Sequence, residues 1–482
     1  GKLLGQVLHT VQRQRDEKTK QAIPTGGLEL YFDRELSGTV GKRRLLRSPL
    51  NALETGEVIA YPQHGADIYL TINHTLQAIT EEELEKGVKK AKAKAGWAVM
   101  MEPQNGHILA LAQYPFFDPS DYPTYFAHAN LTEHTQVKAV TEAPEPGSSF
   151  KPITLAIALL ANQELRERGE KELFHPDEKI ATASGKFPGR SRPISDVGNH
   201  KFLNMQMGLQ KSSNIYMARL VERIIQRLGD DWYRSTLCER FGLGEKTGIE
   251  LPSESAGLIP RPGKKHPNGA LEWSVPTPFS LAMGHNLQTN AIQFVRAMAV
   301  FANGGYLVQP TLIKKIVHGS EVVEKSPKKR QILSKEIVDQ VVTAMKFATK
   351  KGGTARRADV SGYTEAGKSG TGEKAVAGGY ARKTVCSNFI GFTPAKDPAF
   401  ILLVVIDEPE HHFIPGVGGN HHGGLCAAPV FREIARRSLD YLGIPPDDPH
   451  GYPPGDPRYD PDKADWLPEV RKLQEKYNAW NF

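Results

Sequence analysis

Glu145-Pro146-Gly147-Ser148-Ser149-Phe150-Lys151-Pro152 joins a glycine-punctuated loop to an apolar helical run that continues to about Leu160. Ser148 therefore falls at a helix start, and Lys151, three residues on, shares its face. Pro152 suits the first helical turn, where amide donors lack helical partners in any case. A serine hydroxyl is a poor nucleophile until a nearby base takes its proton. A neutral lysine three residues away can take it, and the positive end of the helix dipole favours the oxyanion that develops. A lone Ser-x-x-Lys is a weak signal, because a helix cap followed by a surface lysine has the same spelling.

Two further motifs bear on that choice. Lys211-Ser212-Ser213-Asn214 lies in a polar break before another apolar helix and gives Ser-x-Asn, with Ser212 and Asn214 on one side. Its plain alternative is an N-cap cluster. Ala366-Gly367-Lys368-Ser369-Gly370-Thr371-Gly372-Glu373 gives Lys-Ser-Gly-Thr. The residues from Gly362 to Ser369 also spell the phosphate-loop string G-x-x-x-x-G-K-S. Against that competitor, Tyr363, Thr364 and Glu365 are bulky or acidic where a phosphate cradle takes small residues. Gly370, Gly372, Gly378 and Gly379 also break the helix that should follow.

The chain has 482 residues, a length that suggests two or three domains. With 39% hydrophobic and 24% charged residues it has the balance of a soluble globular protein. The net charge is +7, and basic residues cluster at Lys42–Arg44, Lys89–Lys94 and Lys328–Arg330. No nucleic-acid-binding module accompanies them, so solvated surface charge is the simplest reading, with attraction to anionic lipid or acidic wall polymers next. Cys238, Cys386 and Cys426 give neither a disulfide framework nor a zinc pattern. The apolar runs Ile153–Ala161 and Phe400–Ile406 fall far short of the roughly 20 residues a spanning helix needs. The chain opens at Gly1-Lys2-Leu3 without Met or signal peptide, so a membrane anchor ahead of it is expected.

The pattern along the chain predicts strands at both ends and helices between. Ala66–Ile72 reads as a strand and Thr75–Ala95 as a helix capped by Asn73 and stopped by Gly96. In that helix, early glutamates and late lysines should complement the dipole at both ends. Trp97–Glu102 and His107–Gln113 read as a hairpin around Asn105-Gly106. Val385–Phe392 and Ala399–Asp407 read as a second, with Phe400–Ile406 covered on both faces. Residues 150–350 are mostly helical in pattern, including Ala291–Asn303. The fold expected is α+β, an antiparallel sheet sandwiched by helices. From Ile444 the chain is rich in Pro and Asp and reads as a tail, within which Trp466–Trp480 can dock back as a helix.

The three motifs, in this order, resemble the penicillin-binding protein and serine β-lactamase superfamily. Ala98–Pro115 with Phe117-Asp118-Pro119 is similar to the opening hairpin of class B transpeptidase domains. Thr247–Pro260 and Gln288–Pro310 resemble later segments of the same family, and Gly26-Gly27-Leu28-Glu29 with Phe32-Asp33 the end of its N-terminal pedestal. Leu209-Gln210-Lys211-Ser212-Ser213-Asn214 favours the division-specific type, since the elongation type often has Asp at the third motif position. Ser369 departs from the Thr many members carry, and both supply a hydroxyl. The resemblance implies a shortened pedestal at 1–72, a transpeptidase domain at 73–443 and a C-terminal tail at 444–482.

It also implies roles. Ser148 attacks the carbonyl of a D-Ala-D-Ala stem peptide, Lys151 is the general base, Ser212 relays a proton to the leaving amine and Lys368 holds the relay. Lys368 should lower the proton affinity of Lys151, because like charges disfavour ionisation; which lysine acts in which step stays open. Asn214, Ser369, Gly370 and Thr371 bind substrate, with the amides of Ser148 and Thr371 as oxyanion hole. Lys368–Gly372 is expected at a sheet edge, where a peptide can add by main-chain bonds. No cofactor or metal is implied. The implied partners are peptidoglycan stem peptides and their lipid-linked precursor, β-lactam antibiotics, a membrane glycosyltransferase and divisome proteins, but not nucleic acid. The implied location is the periplasmic, extracytoplasmic face of the inner membrane. A β-lactamase, a β-lactam sensor, a carboxypeptidase or a non-catalytic wall scaffold are the alternatives. His411, His412, His421 and His422 lie on one Gly-rich stretch and read as loop residues, with zinc as the other option.

Overall fold

The computed structural model describes residues 2–18, 22–47, 53–376 and 379–482. The elements that build the site are, in chain order, helix α1 (His74–Lys90), strands β1 (Ala95–Met101) and β2 (Ile108–Tyr114), helices α2 (Lys151–Glu167), α3 (Asn214–Ser235) and α4 (Lys335–Ala348), strands β3 (Ala366–Val376), β4 (Gly379–Thr393) and β5 (Phe400–Asp407), and helices α5 (Ala428–Tyr441) and α6 (Leu467–Asn481). The five strands form one antiparallel sheet in the order β3-β4-β5-β1-β2. Both predicted hairpins are present, and the Lys-Ser-Gly-Thr motif lies on the edge strand β3.

Strand β5 is apolar throughout because it feeds two cores. Phe400, Leu402, Val404 and Ile406 pack with Leu84 of α1 and Phe431 of α5 on one face. Ile401, Leu403 and Val405 pack with Trp97 and with Ile157 of α2 on the other. This period-two alternation is what a strand covered on both faces requires. The architecture is therefore the expected helix–sheet–helix α+β sandwich.

The first helix differs from expectation at its end. Asn73 caps it as predicted, its side chain accepting from the amides of Thr75 and Leu76. It ends at Lys90, however, and Lys92 turns the chain with φ of 45°. Ala95 and Gly96 belong to β1 and pair with Asp407 and Ile406. Gly96 is thus no helix stop; a Cβ there would come within 2.6 Å of Val88 and 3.0 Å of the Val405 carbonyl. The glutamates sit in the middle turns, where Glu83 binds Lys86 and Arg437, so only Lys89 and Lys90 meet the dipole.

The strand expected at Ala66–Ile72 is Asp67–Leu70, paired with Ile313–His318. The helix expected at Ala291–Asn303 is a capped helix Ala291–Met298 continued by the 3-10 turn Ala299–Phe301. Helix α6 buries Val470, Leu473 and Tyr477 against the body of the protein. Among the described residues no helix is long and apolar enough to cross a membrane.

Candidate active site

Ser148 lies in a 3-10 turn, Gly147–Phe150, that runs directly into α2 with Pro152 in its first turn. Gly147 takes φ of +62°, a conformation that costs a side chain strain. The turn is pressed against strand β3. A Cβ on Gly147 would stand 2.5 Å from the carbonyl oxygen of Thr371 and 3.1 Å from its amide nitrogen. One on Gly370 would stand 2.3 Å from the Pro146 carbonyl oxygen, and one on Gly372 2.1 Å from that of Glu145. Backbone therefore meets backbone, and the turn that carries Ser148 lies directly against the Lys-Ser-Gly-Thr strand. The turn is held further by Asn388 of β4, which donates to the Pro146 carbonyl at 3.0 Å. The carboxylate of Glu145 accepts from the Asn286 amide at 3.0 Å and meets His285 at 3.1 Å.

Lys151 is fully buried. Its Nζ donates to the Ser212 carbonyl at 2.6 Å and Asn214 Oδ1 at 2.8 Å, and lies 3.1 Å from Ser212 Oγ. Ser212 reaches this position with φ of 54°, an uncommon conformation for a non-glycine residue, which turns both its carbonyl and its hydroxyl to the lysine. The inventory suits two protonation states. An ammonium can donate to all three oxygens; a neutral amine can donate to the two carbonyl-type oxygens and accept from the hydroxyl. Burial pushes the Lys151 pKa well below the ordinary lysine value, the charge of Lys368 pushes the same way, and Asp196 opposes them. The expected effect of Lys368 is present but second to desolvation. Among the described residues no hydrogen bond joins Lys151 to the Ser148 hydroxyl; the amine is engaged with the second motif.

Lys368 is also fully buried. Its Nζ donates to the Ser369 carbonyl at 3.0 Å and lies 3.5 Å from Thr354 Oγ1. Burial lowers its pKa to about 7. Ser369 Oγ is 3.4 Å from the same Thr354 hydroxyl, and Thr371 Oγ1 accepts from the Gly423 amide at 3.2 Å. Asn214 donates through Nδ2 to the Ser195 carbonyl at 2.9 Å, leaving its second N–H. The phosphate-loop string is not a phosphate loop: Gly367-Lys368-Ser369 is strand, and Glu365 is buried against Lys350 at 3.2 Å.

Sequence reasoning missed Asp196. One of its oxygens accepts from the amides of Asn214 (2.6 Å) and Ile215 (3.1 Å), the other from Ser213 Oγ (2.5 Å). It thus caps α3 from outside and fixes the Ser-x-Asn turn. An Asp sixteen residues before Ser212 carries no spacing signal. The rings of His411 and His421 stack at 4.0 Å, with His422 at 4.2 Å from His421. Burial, then the neighbouring His422 and His411, bring the His421 pKa down to about 4.

The family model described as "Penicillin binding protein transpeptidase domain" matches residues 96–436. The apo form of penicillin-binding protein 3 from Mycobacterium tuberculosis is similar in structure, with TM-score 0.74 and 25% identity over 93% of this chain and 91% of that one. The transpeptidase domain of penicillin-binding protein 3 from Burkholderia pseudomallei has TM-score 0.62 and 28% identity over 79% of this chain and 98% of that domain. The fold is that of penicillin-binding transpeptidase domains. In sequence, the chain is 32% identical over 427 residues to the probable peptidoglycan D,D-transpeptidase PbpC of Pseudomonas aeruginosa, covering 87% of this chain and 67% of that protein. It is 31% identical to PenA of Neisseria gonorrhoeae, covering 88% and 66% respectively. It is 32% identical to stage V sporulation protein D of Bacillus subtilis, covering 87% and 61%. The chain thus spans about two thirds of the length of these curated relatives. It belongs to the class B penicillin-binding proteins of the division type, a family of peptidoglycan D,D-transpeptidases.

Proposed function

We propose that this chain cross-links peptidoglycan through an acyl-enzyme on Ser148. Ser148 Oγ attacks the carbonyl of the penultimate D-Ala, the tetrahedral oxyanion is met by the amides of Ser148 and Thr371, and the C–N bond to the terminal D-Ala breaks. Lys151 takes the serine proton, which passes through Ser212 to the leaving amine. Lys368 holds Ser212 and, with Ser369 and Thr371, meets the substrate carboxylate; Asn214 and the edge at Gly370 take the peptide backbone. An amine of a second stem peptide then attacks the ester, forming the cross-link and releasing Ser148. The reading needs no cofactor and no metal. The observation that carries it is the approach of three distant segments: a buried Lys151 amine bonded to Ser212 and Asn214, beside a buried Lys368.

β-Lactams, as D-Ala-D-Ala mimics, acylate the same serine; a 25% identical M. tuberculosis relative is known complexed with aztreonam. The FtsI-named relatives support a septal role. With that role go a periplasmic site at the inner membrane through an anchor ahead of this chain, and a membrane glycosyltransferase and divisome proteins as partners. Residues 73–443 form the transpeptidase unit, 1–72 the pedestal remnant and 444–482 a C-terminal appendage.

The test is to supply a D-Ala-D-Ala pentapeptide with an amine acceptor and to follow both D-Ala release and cross-linked product. Wild type should give both and Ser148→Ala neither. D-Ala release without cross-links would make the protein a carboxypeptidase, and rapid turnover of a penicillin adduct a β-lactamase.

A further inference from the structure

We propose that the segment from Ile444 to Phe482 is a working part of the active site, bracing its second and third motifs from behind, with Asp447 and Asn481 as positioning residues. The inference rests on the acyl-enzyme reading above and adds to it the element that holds the two halves of the site in register.

One anchor grips the approach to the catalytic strand. Asp447 accepts from the Thr364 amide at 2.8 Å and from the Thr364 hydroxyl. The Gly362 amide donates to the Gly451 carbonyl at 3.0 Å, the amide of Asp448 donates to the Gly362 carbonyl at 3.0 Å, and Tyr363 Oη donates to the Ile444 carbonyl at 2.6 Å. Residues 362–364 run straight into β3, four positions before Lys368. Farther along, Asp465 binds the buried Lys346 of α4 at 2.7 Å, and that ammonium lies 3.6 Å over the Trp466 ring.

The other anchor grips the approach to the Ser-x-Asn turn. Asn481 Oδ1 accepts from the amides of Lys201 (2.6 Å) and Phe202 (3.1 Å), and its Nδ2 donates to the Phe202 carbonyl at 3.1 Å. Asn481 itself is buried, and these bonds lie partly shielded from water. The Tyr477 hydroxyl lies 2.7 Å from His200 Nδ1, and its ring carries Lys211 Nζ at 4.7 Å. His200 follows Asp196 by four residues, and Lys211 directly precedes Ser212. One continuous segment is therefore tied to both sides of a cleft whose chemistry depends on their separation. Composition rich in Pro and Asp conceals this, because the same residues that mark a tail also make tight hydrogen-bonded turns.

The test uses the full chain and acylation by a fluorescent penicillin, resolved into a binding constant and an acylation rate, with amide exchange followed by mass spectrometry. Asp447→Ala should slow the acylation rate by about 10-fold with binding unchanged, since misplacement by 1 Å costs up to about 100-fold. It should also speed exchange at residues 362–368. Asp447→Asn, which keeps an acceptor for the Thr364 amide, should restore most of the rate. Asn481→Ala should act likewise on residues 200–214, and the two losses should multiply because each anchor serves a different motif. Tyr477→Phe, which removes one hydroxyl, keeps the question open to measurement if Asn481→Ala does not fold. Unchanged rates and exchange in these variants, or exchange that rises uniformly along the chain, would overturn the brace. If wild type takes no penicillin, the acyl-enzyme reading fails, and the exchange pattern alone still decides whether the segment braces those two regions.

Discussion

Lys151 and Lys368 sit in neighbouring buried positions built in opposite ways. The Lys151 side is a helix start facing a polar turn, where three oxygens surround the amine and Asp196 adds a negative charge nearby. The Lys368 side is an edge strand, where the amine has one carbonyl at 3.0 Å and a hydroxyl at 3.5 Å. The first site holds its lysine by hydrogen bonds in either protonation state. The second supports a cation poorly, so burial leaves the Lys368 pKa at about 7. In the proposed mechanism the well-bonded lysine carries the proton and the sparsely bonded one supplies the charge that answers substrate. An arriving carboxylate beside Ser369 and Thr371 favours the charged form of Lys368. That charge in turn weakens the hold of Lys151 on its proton.

The largest expected effect breaks the Lys151 half. Lys151→Met should slow penicillin acylation by about 1,000-fold, within the range for loss of a general base, and a rate near wild type would move the base elsewhere. Next comes the seam between the halves. Gly370→Ala puts a methyl 2.3 Å from the Pro146 carbonyl, so strand and nucleophile turn must separate. Acylation should fall by about 100-fold, and an unchanged rate would show that the close approach is dispensable.

A smaller effect sharpens the Lys368 half. Its pKa is about 7 folded and about 10.4 unfolded, so the unfolded chain binds more protons between those values. The stability penalty of burying Lys368 is full below pH 7 and fades as pH rises toward 10. Lys368→Met should therefore raise the denaturation midpoint more at pH 6 than at pH 9. An equal change at both would contradict the assignment. The smallest effect belongs to Asp196→Asn, which keeps one acceptor oxygen for the Asn214 and Ile215 amides but removes the charge that favours protonated Lys151. The rising limb of acylation against pH should move to lower pH, and a shift upward would reverse the sign of that interaction.

Much of this is legible in the sequence. Asn105-Gly106 marks its hairpin, the apolar run Phe400–Ile406 marks the doubly covered strand, and the three motifs converge. Local signals reach only as far as local causes. Gly96 looks like a helix stop because glycine does that often, whereas here it serves strand packing against Val88. Asp196, Thr354 and Gly284, whose carbonyl accepts from the Gly147 amide at 3.0 Å, join the site through long-range packing that leaves no spacing in the chain. The C-terminal stretch misleads most, since the hydrogen bonds that fix Asp447 and Asn481 link residues more than 80 and 270 positions apart.

Mass mapping of the protein after reaction with benzylpenicillin addresses the core of the account most directly. One penicilloyl group per chain, on the peptide that contains Ser148, is the predicted result. An unmodified chain, or an adduct carried by any other residue, would contradict it.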